Sequence, residues 1–231
     1  MNYIKWKEQD SRYINGLVIC ELPPIVKPQM RIAETVIDGV DGSLIEELGY
    51  SPYDKQLLIG LTQNANIDAI IKFFSGNGEV VFSNEPDKYY KASIVNQVDY
   101  ARLVRFKTAT VTFRVQPFKY KLDELPVTIS TSANVYNVEN WGTENSKPLI
   151  RLEGSGTVEC RVNGNSVFSY TFPSNDTEVY IDSELQDAYV GSVLKNRNMV
   201  GEFPILNSGD NEISFTGTLT SVEITARSRW I

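Results

Sequence analysis

Along most of this chain apolar and polar residues alternate one for one, and that period-2 rhythm predicts half-buried strands. It is cleanest in the second half. Ile150 and Leu152 alternate with Arg151 and Glu153, and then Val158, Cys160 and Val162 alternate with Glu159 and Arg161. That run meets Asn163-Gly164, and Phe168, Tyr170 and Phe172 return on the other side. An Asn-Gly pair between two alternating runs predicts a tight hairpin, because both turn positions need positive φ. Near the end, Ser208 to Asp210 form a turn that feeds a strand carrying Ile213 and Phe215. Thr216-Gly217 should end that strand, and Val222, Ile224 and Ala226 mark the next.

The first half mixes strands with one helix. Ile14 to Cys20 reads as an early strand, and Pro23, Pro24 and Pro28 bar regular pairing in the loop that follows. Thr35 to Ile37 is a short strand ending at Asp38-Gly39, with Asp41-Gly42 close behind, so a tightly turned exposed loop is expected there. Leu57 to Ile59 is another strand. From Asn66 to Ser75, Ile67, Ile70, Ile71 and Phe74 fall at helical spacing, giving one apolar stripe to pack on a sheet. Asn66 can cap this helix, Asp68 suits its N-terminal dipole, and Gly76 to Gly78 stop it. Strands follow at Val80 to Phe82, Tyr89 to Val98 and Leu103 to Val115; the last changes phase, which a bulge near Lys107 would reconcile. Pro117 and then Leu122 to Pro126 mark the domain boundary, giving domains 1–125 and 126–231. The fold class is therefore mainly β, with one α-helix in the first domain and a sandwich or jelly roll in the second.

Composition narrows the chemistry. The 231 residues contain no histidine, which removes the commonest general base and metal ligand. Cys20 and Cys160 fall in different domains and read as free, buried thiols. The net charge of −7 is uneven: residues 1–125 hold 15 Lys/Arg against 16 Asp/Glu, and residues 126–231 hold 7 against 13. An acidic chain is poorly suited to gripping nucleic-acid phosphates, so no specific nucleic-acid binding is expected. No apolar run approaches the length of a membrane span, and the first residues carry no signal-peptide pattern.

No catalytic, cofactor-binding or metal-binding residue emerges. Glu46-Glu47 and Asp123-Glu124 are sequence neighbours, and neighbours do not converge on a substrate as a catalytic carboxylate pair must. Asp38 and Asp41 lack the further oxygen ligands of a calcium loop. Asn175 to Thr177 match a glycosylation acceptor but read as an ordinary turn in a chain with no secretion signal. Gly154-Ser155-Gly156 and Gly76 to Gly78 are too short to cradle phosphate. Tyr89, Tyr90, Trp141, Tyr180, Tyr189 and Trp230 could offer stacking faces to a sugar, so a module binding host cell-wall carbohydrate is the alternative; core and interface packing explain the same rings more simply.

The order of these segments resembles the distal tail proteins (Dit) of siphovirus bacteriophages. The pieces that carry the resemblance are Tyr13 to Gly16, Val36 to Ser43, the helix ending in Phe73-Phe74, and the strand leading into Val115 to Tyr120. The second half adds Asn140 to Thr143, Ser146 to Pro148, Gly154 to Gly156, Ile181 to Ser183, Gly201 to Pro204, Gly209 to Ile213 and Arg227 to Trp230. The resemblance implies an N-terminal β-sandwich with a helix and a C-terminal galectin-like β-sandwich. It implies a non-enzymatic virion protein of the tail tip or baseplate, built in the host cytoplasm without cofactors. In the family, six N-terminal domains form a homohexameric ring that lets DNA through. That ring joins the major tail tube protein and tape measure protein to the tail-associated (Tal) protein, and in many phages carries a receptor-binding protein. The short loops here leave no space for the long arms or carbohydrate modules of some relatives. The region around Thr35 to Ile37 is an exposed edge that can pair with a neighbour.

Overall fold

The computed structural model describes residues 1–39, 41–96, 103, 105–129 and 135–231. Its Cα framework divides into two compact units, Met1–Leu122 and Asp123–Trp230.

In the first unit, β1 (Ile4–Trp6), β2 (Gln9–Asp10), β3 (Leu17–Glu21), β6 (Tyr53–Leu61), β7 (Asn77–Phe82), β8 (Lys88–Ile94) and β9 (Thr108–Lys121) form one antiparallel sheet in the order β2-β1-β7-β8-β9-β6-β3. Among the described residues, strands β4 (Met30–Val36) and β5 (Ser43–Tyr50) pair with each other alone, as a separate two-stranded ribbon. Inward-facing Ile4, Trp6, Leu57, Ile59, Val80, Phe82, Tyr90, Val111, Phe113 and Val115 form the core. Phe113 sits at its centre, meeting Trp6, Phe74 and Phe82 edge-on at 5.2, 6.3 and 5.8 Å. The helix α1 (Ile67–Phe73) closes over this sheet, and Asn66 caps it by accepting from the Ala69 N–H at 3.1 Å.

Three details differ from the pattern-based reading. The buried stripe of α1 is Ile70, Phe73 and Phe74, while Ile71 is exposed. So short a helix buries whichever large rings its C-terminal end delivers to the core. The stretch beginning at Leu103 is not strand: the Leu103 carbonyl accepts from the Lys107 N–H at 2.8 Å, and Lys107 takes φ +61°, so β9 starts only at Thr108. The phase change at Lys107 is thus a strand entry and not a bulge within a strand. Val98 and Val104 lie outside the described residues. Nor does Pro117 end β9. Tyr90 pairs with Lys119 and Ala92 with Val115, so β9 bulges outward there and takes in the missing N–H of proline.

Among the described residues the second unit is β apart from one 3-10 turn at Asn196–Asn198. Its strands are β10 (Val127–Ile129), β11 (Val135–Asn140), β12 (Leu149–Val162), β13 (Asn165–Thr171), β14 (Glu178–Asp182), β15 (Asp187–Val190), β16 (Val193–Leu194), β17 (Met199–Gly201) and β18 (Gly209–Thr225). The long β12 and β18 pair along most of their length. The first part of β12 also takes β14, β15 and β16 on its flank; its last part takes β13 and β17. Likewise β11 pairs with the start of β18 and β10 with its end. The two long strands thus run through both layers of a sandwich and close over one core containing Ile150, Leu152, Cys160, Phe168, Tyr170, Ile213, Phe215 and Ile224.

The corner between the layers is made of glycine. Register slips between Glu153 and Gly154 and again between Ser155 and Glu159. A Cβ on Gly154 would meet the Thr218 carbonyl oxygen at 2.3 Å, and one on Gly217, at φ +106°, would meet that of Thr157 at 2.5 Å. Gly217 therefore bends β18 and does not end it, contrary to the expectation that Thr216-Gly217 would stop a strand. The Asn163-Gly164 hairpin forms as expected, with φ +51° and +80°.

Candidate functional site: the ribbon and its root

The ribbon of β4 and β5 gathers several exposed apolar residues of the first unit on one element. Thr35 pairs with Leu44, Glu34 with Ile45, Ala33 with Glu46 and Ile32 with Glu47. One face then carries Ile32, Val36 and Ile45, and the other carries Leu44 and Leu48; all five are exposed, Val36 by 72% and Leu44 and Ile45 by 62% each. A lone two-stranded ribbon is only marginally stable in water, and apolar side chains on both its faces mark a surface that gains by being covered. Nearer its root the ribbon carries a bulge: Met30 pairs with Tyr50 and Ile32 with Glu47, so extra residues on β5 stand opposite Arg31. Gly49 supplies the φ of +89°, and Arg31 Nη2 donates to the Leu48 carbonyl at 2.9 Å. Glu46 and Glu47, neighbours on β5, point to opposite faces of the ribbon.

The root is held by polar groups. The Ser51 N–H donates to the Gln29 carbonyl at 2.8 Å, and Tyr50 meets Phe118 edge-on at 5.9 Å. Before the ribbon, residues 22–29 run without regular pairing as a strap containing Pro23, Pro24 and Pro28. Two side chains reach its carbonyls: Lys55 Nζ donates to Pro24 O at 2.9 Å, and Asn84 Nδ2 to Pro23 O at 3.1 Å.

Lys55 itself is only 2% exposed. Its ammonium lies 4.8, 5.6 and 5.8 Å from the ring centroids of Tyr90, Phe82 and Tyr53. Beneath it, Glu85 accepts from Lys119 Nζ and from the Tyr90 hydroxyl, each at 2.5 Å. Burial pulls Lys55 down to about 8, against the opposing pull of Glu85. Burial also pushes Tyr53 up to about 12 and raises Tyr90, whose proton the Glu85 hydrogen bond further retains. Burial works against the charge on Glu85, yet the bonds from Lys119 and Tyr90 hold it below the usual carboxylate range. No feature of the alternation signals this cluster. Lys55 occupies an inward position of β6 between polar Asp54 and Gln56, where a lysine reads as solvent-facing.

The other sequence candidates resolve into structural parts. Glu124 accepts from the Ser228 N–H at 2.9 Å and from its hydroxyl at 2.5 Å, so it fastens the last segment of the second unit. Arg227 pairs with Asp182 at 2.6 Å. The rings of Tyr180 and Tyr189 lie 5.5 Å apart and nearly parallel at 9°, so each gives one face to the other. Arg151 lies 5.9 Å from Tyr180 and pairs with Glu153, Glu178 and Glu223. Tyr89 stacks on Tyr120 at 5.5 Å, and Tyr90 is buried. Of the six proposed sugar-stacking rings, then, Tyr89, Tyr90, Tyr180 and Tyr189 are packed as just described, Trp230 is half-buried and Trp141 is 57% exposed. Cys20 and Cys160 are both free, but Cys20 is exposed and not buried, since β3 turns it away from the core. Among the described residues no group of three His, Cys, Asp or Glu side chains could hold a metal ion, and no helix is long and apolar enough to cross a membrane.

Among solved structures the chain is similar to Dit of phage SPP1, described as a paradigm of the hub adsorption apparatus in phages that infect Gram-positive bacteria. The likeness covers 97% of each chain with a TM-score of 0.73 at 15% identity. It also matches chains of the phage p2 baseplate in its activated conformation. The strontium form gives a TM-score of 0.51 at 8% identity, over 97% of this chain and 98% of that one. The calcium form gives 0.52 at 9%, over 97% of each. No protein-family model matches the sequence, and no curated protein does. The likeness is one of fold.

Proposed function

We propose that this chain is the hub of a phage tail tip, a virion component that assembles as a homohexameric ring. The observation that carries this reading is the correspondence with SPP1 Dit through both units, over 97% of each chain. The ring is built by the first unit, residues 1–122. Head-to-tail contacts between identical copies close into rings when the rotation allows, and the ribbon supplies a surface for such a contact. Charge supports the same contact. Residues 30–50 hold one basic and five acidic side chains, whereas the rest of residues 1–122 hold 14 basic against 9 acidic, so an acidic ribbon meets a basic neighbour.

In this reading the ring joins the major tail tube protein and tape measure protein on one side to the tail-associated protein on the other, and DNA passes through its lumen. The acidic second unit docks a receptor-binding protein. The protein works by geometry and interface burial, with no catalytic step and no cofactor. Light scattering behind a sizing column tests the ring on the full-length protein. The expected mass is six times the 26.0 kDa of one chain. A monomer at every concentration and at low salt would overturn assembly of the isolated chain into a ring.

A further inference from the structure

The buried Lys55 ammonium is left without a task by ring geometry alone. A lysine with 2% exposure is unusual, because desolvating its charge costs several kcal/mol unless it is paired. Here it serves neither a substrate nor a surface ion pair. It donates at 2.9 Å to one main-chain carbonyl, that of Pro24, in the strap that carries the chain from the sheet to the ribbon.

The strap has few other means of holding its place. Pro23, Pro24 and Pro28 have no N–H to offer, so its attachment falls to its carbonyls. Two of these are met from the sheet side, Pro24 by Lys55 and Pro23 by Asn84 at 3.1 Å. Pro23 and Pro28 are buried, while Ile25 and Val26 between them are exposed. The strap is thus pinned at its start by two side-chain donors and at its end by the Gln29–Ser51 bond. The groups facing Lys55 are Tyr53 on its own strand, Phe82 on β7, Glu85, Tyr90 on β8 and Lys119 on β9. They surround the ammonium that donates to the strap.

We infer that Lys55 is a positioning residue for assembly: its buried ammonium, with Asn84, fastens the Pro23-Pro24 strap and so sets the direction in which the ribbon leaves the sheet. The inference rests on the ribbon being a ring contact. Holding the ribbon in one direction before association removes the ordering cost that a swinging ribbon would meet on binding. The cluster thereby acts on the placement of the ribbon through the strap.

The test is Lys55→Met, which keeps an unbranched chain of similar length and removes the donor and the charge. Glu85 keeps its bonds to Lys119 and Tyr90 in that variant. Thermolysin cuts before large apolar residues, and its cutting at Ile25 and Val26 in the full-length protein reads how often the strap opens. The expected result is cutting about tenfold faster, together with half-assembly at a concentration about tenfold higher, while the melting temperature does not fall. A lysine that served only the core would lower the melting temperature along with assembly. Unchanged cutting overturns the inference, as does faster cutting with unchanged assembly. Should Lys55→Met not fold, Asn84→Ala reads the same two quantities at the second fastening, with a smaller rise in cutting expected. A wild-type protein that never assembles removes the ring reading and, with it, the assembly half of this inference; the cutting assay still decides whether Lys55 fastens the strap.

Discussion

The chain builds two hairpins from similar alternating sequence and uses them in opposite ways. The hairpin of β12 and β13 turns at Asn163-Gly164 and places Val158, Cys160, Val162, Phe168 and Tyr170 on one face, all buried. The ribbon of β4 and β5 divides Ile32, Val36 and Ile45 from Leu44 and Leu48 across two faces and buries none of them. Alternation that gathers apolar residues on one face is satisfied within its own chain. Apolar residues on both faces of a separate two-stranded ribbon are left uncovered within the single chain.

The comparison can be broken most forcefully from the buried side. Phe168→Ala removes a ring that is 1% exposed, and should cost about 3–5 kcal/mol. Urea unfolding of the second unit is the measurement, and assembly of the remaining folded protein should be unaffected. An intermediate effect belongs to the ribbon's root. Lys55 sits at about 8 in the folded protein against its ordinary 10.5, so between these values the unfolded chain binds a proton that the folded one does not. Stability therefore rises with pH from about 8 to 10, by roughly 2–3 kcal/mol from this group. Other groups titrate nearby, so the quantity to measure is the difference in pH slope between wild type and Lys55→Met; equal slopes would mean Lys55 is not held as described. The smallest effect on stability should come from the ribbon. Leu44→Glu with Ile45→Glu places charges on two side chains that are already exposed, and should change unfolding free energy by about 0.5 kcal/mol or less. If the chain assembles as the proposed ring, the same variant should abolish the hexamer by light scattering. A large stability loss instead would mean the ribbon packs against its own chain.

Much of the fold is legible in the residues because local and tertiary preferences agree there. The Asn163-Gly164 turn, the alternation of β12 and the Asn66 cap each specify the geometry that forms. The misreadings share a cause, a local rule overruled by packing. Gly217 reads as a stop, yet the sandwich needs a bend in a continuous strand at that point. Pro117 reads as the end of a strand, but a bulge accommodates it within β9. Ile71 belongs to the helical stripe by spacing, and Phe73 takes the buried place because the core beside Phe74 and Phe113 accepts a ring. In the sequence the ribbon shows only as a short strand beside two Asp-Gly pairs, and the short loops elsewhere argue against any arm. Its length could not be read because Glu46-Glu47 interrupts the apolar run of β5. Lys55 was illegible altogether, since burial of a lysine depends on partners at positions 24, 85 and 90 that no sequence window brings together.

The shared strands of the second unit have a consequence for how it comes apart. β12 and β18 each belong to both layers, and they turn the corner through Gly154 and Gly217 with no break in the chain. Peeling either layer away removes the pairing partner that the other layer needs. One sheet therefore has no means of surviving the loss of the other, and the sandwich should open as a single cooperative unit, with its slowest-exchanging amides in both layers protected to the same degree.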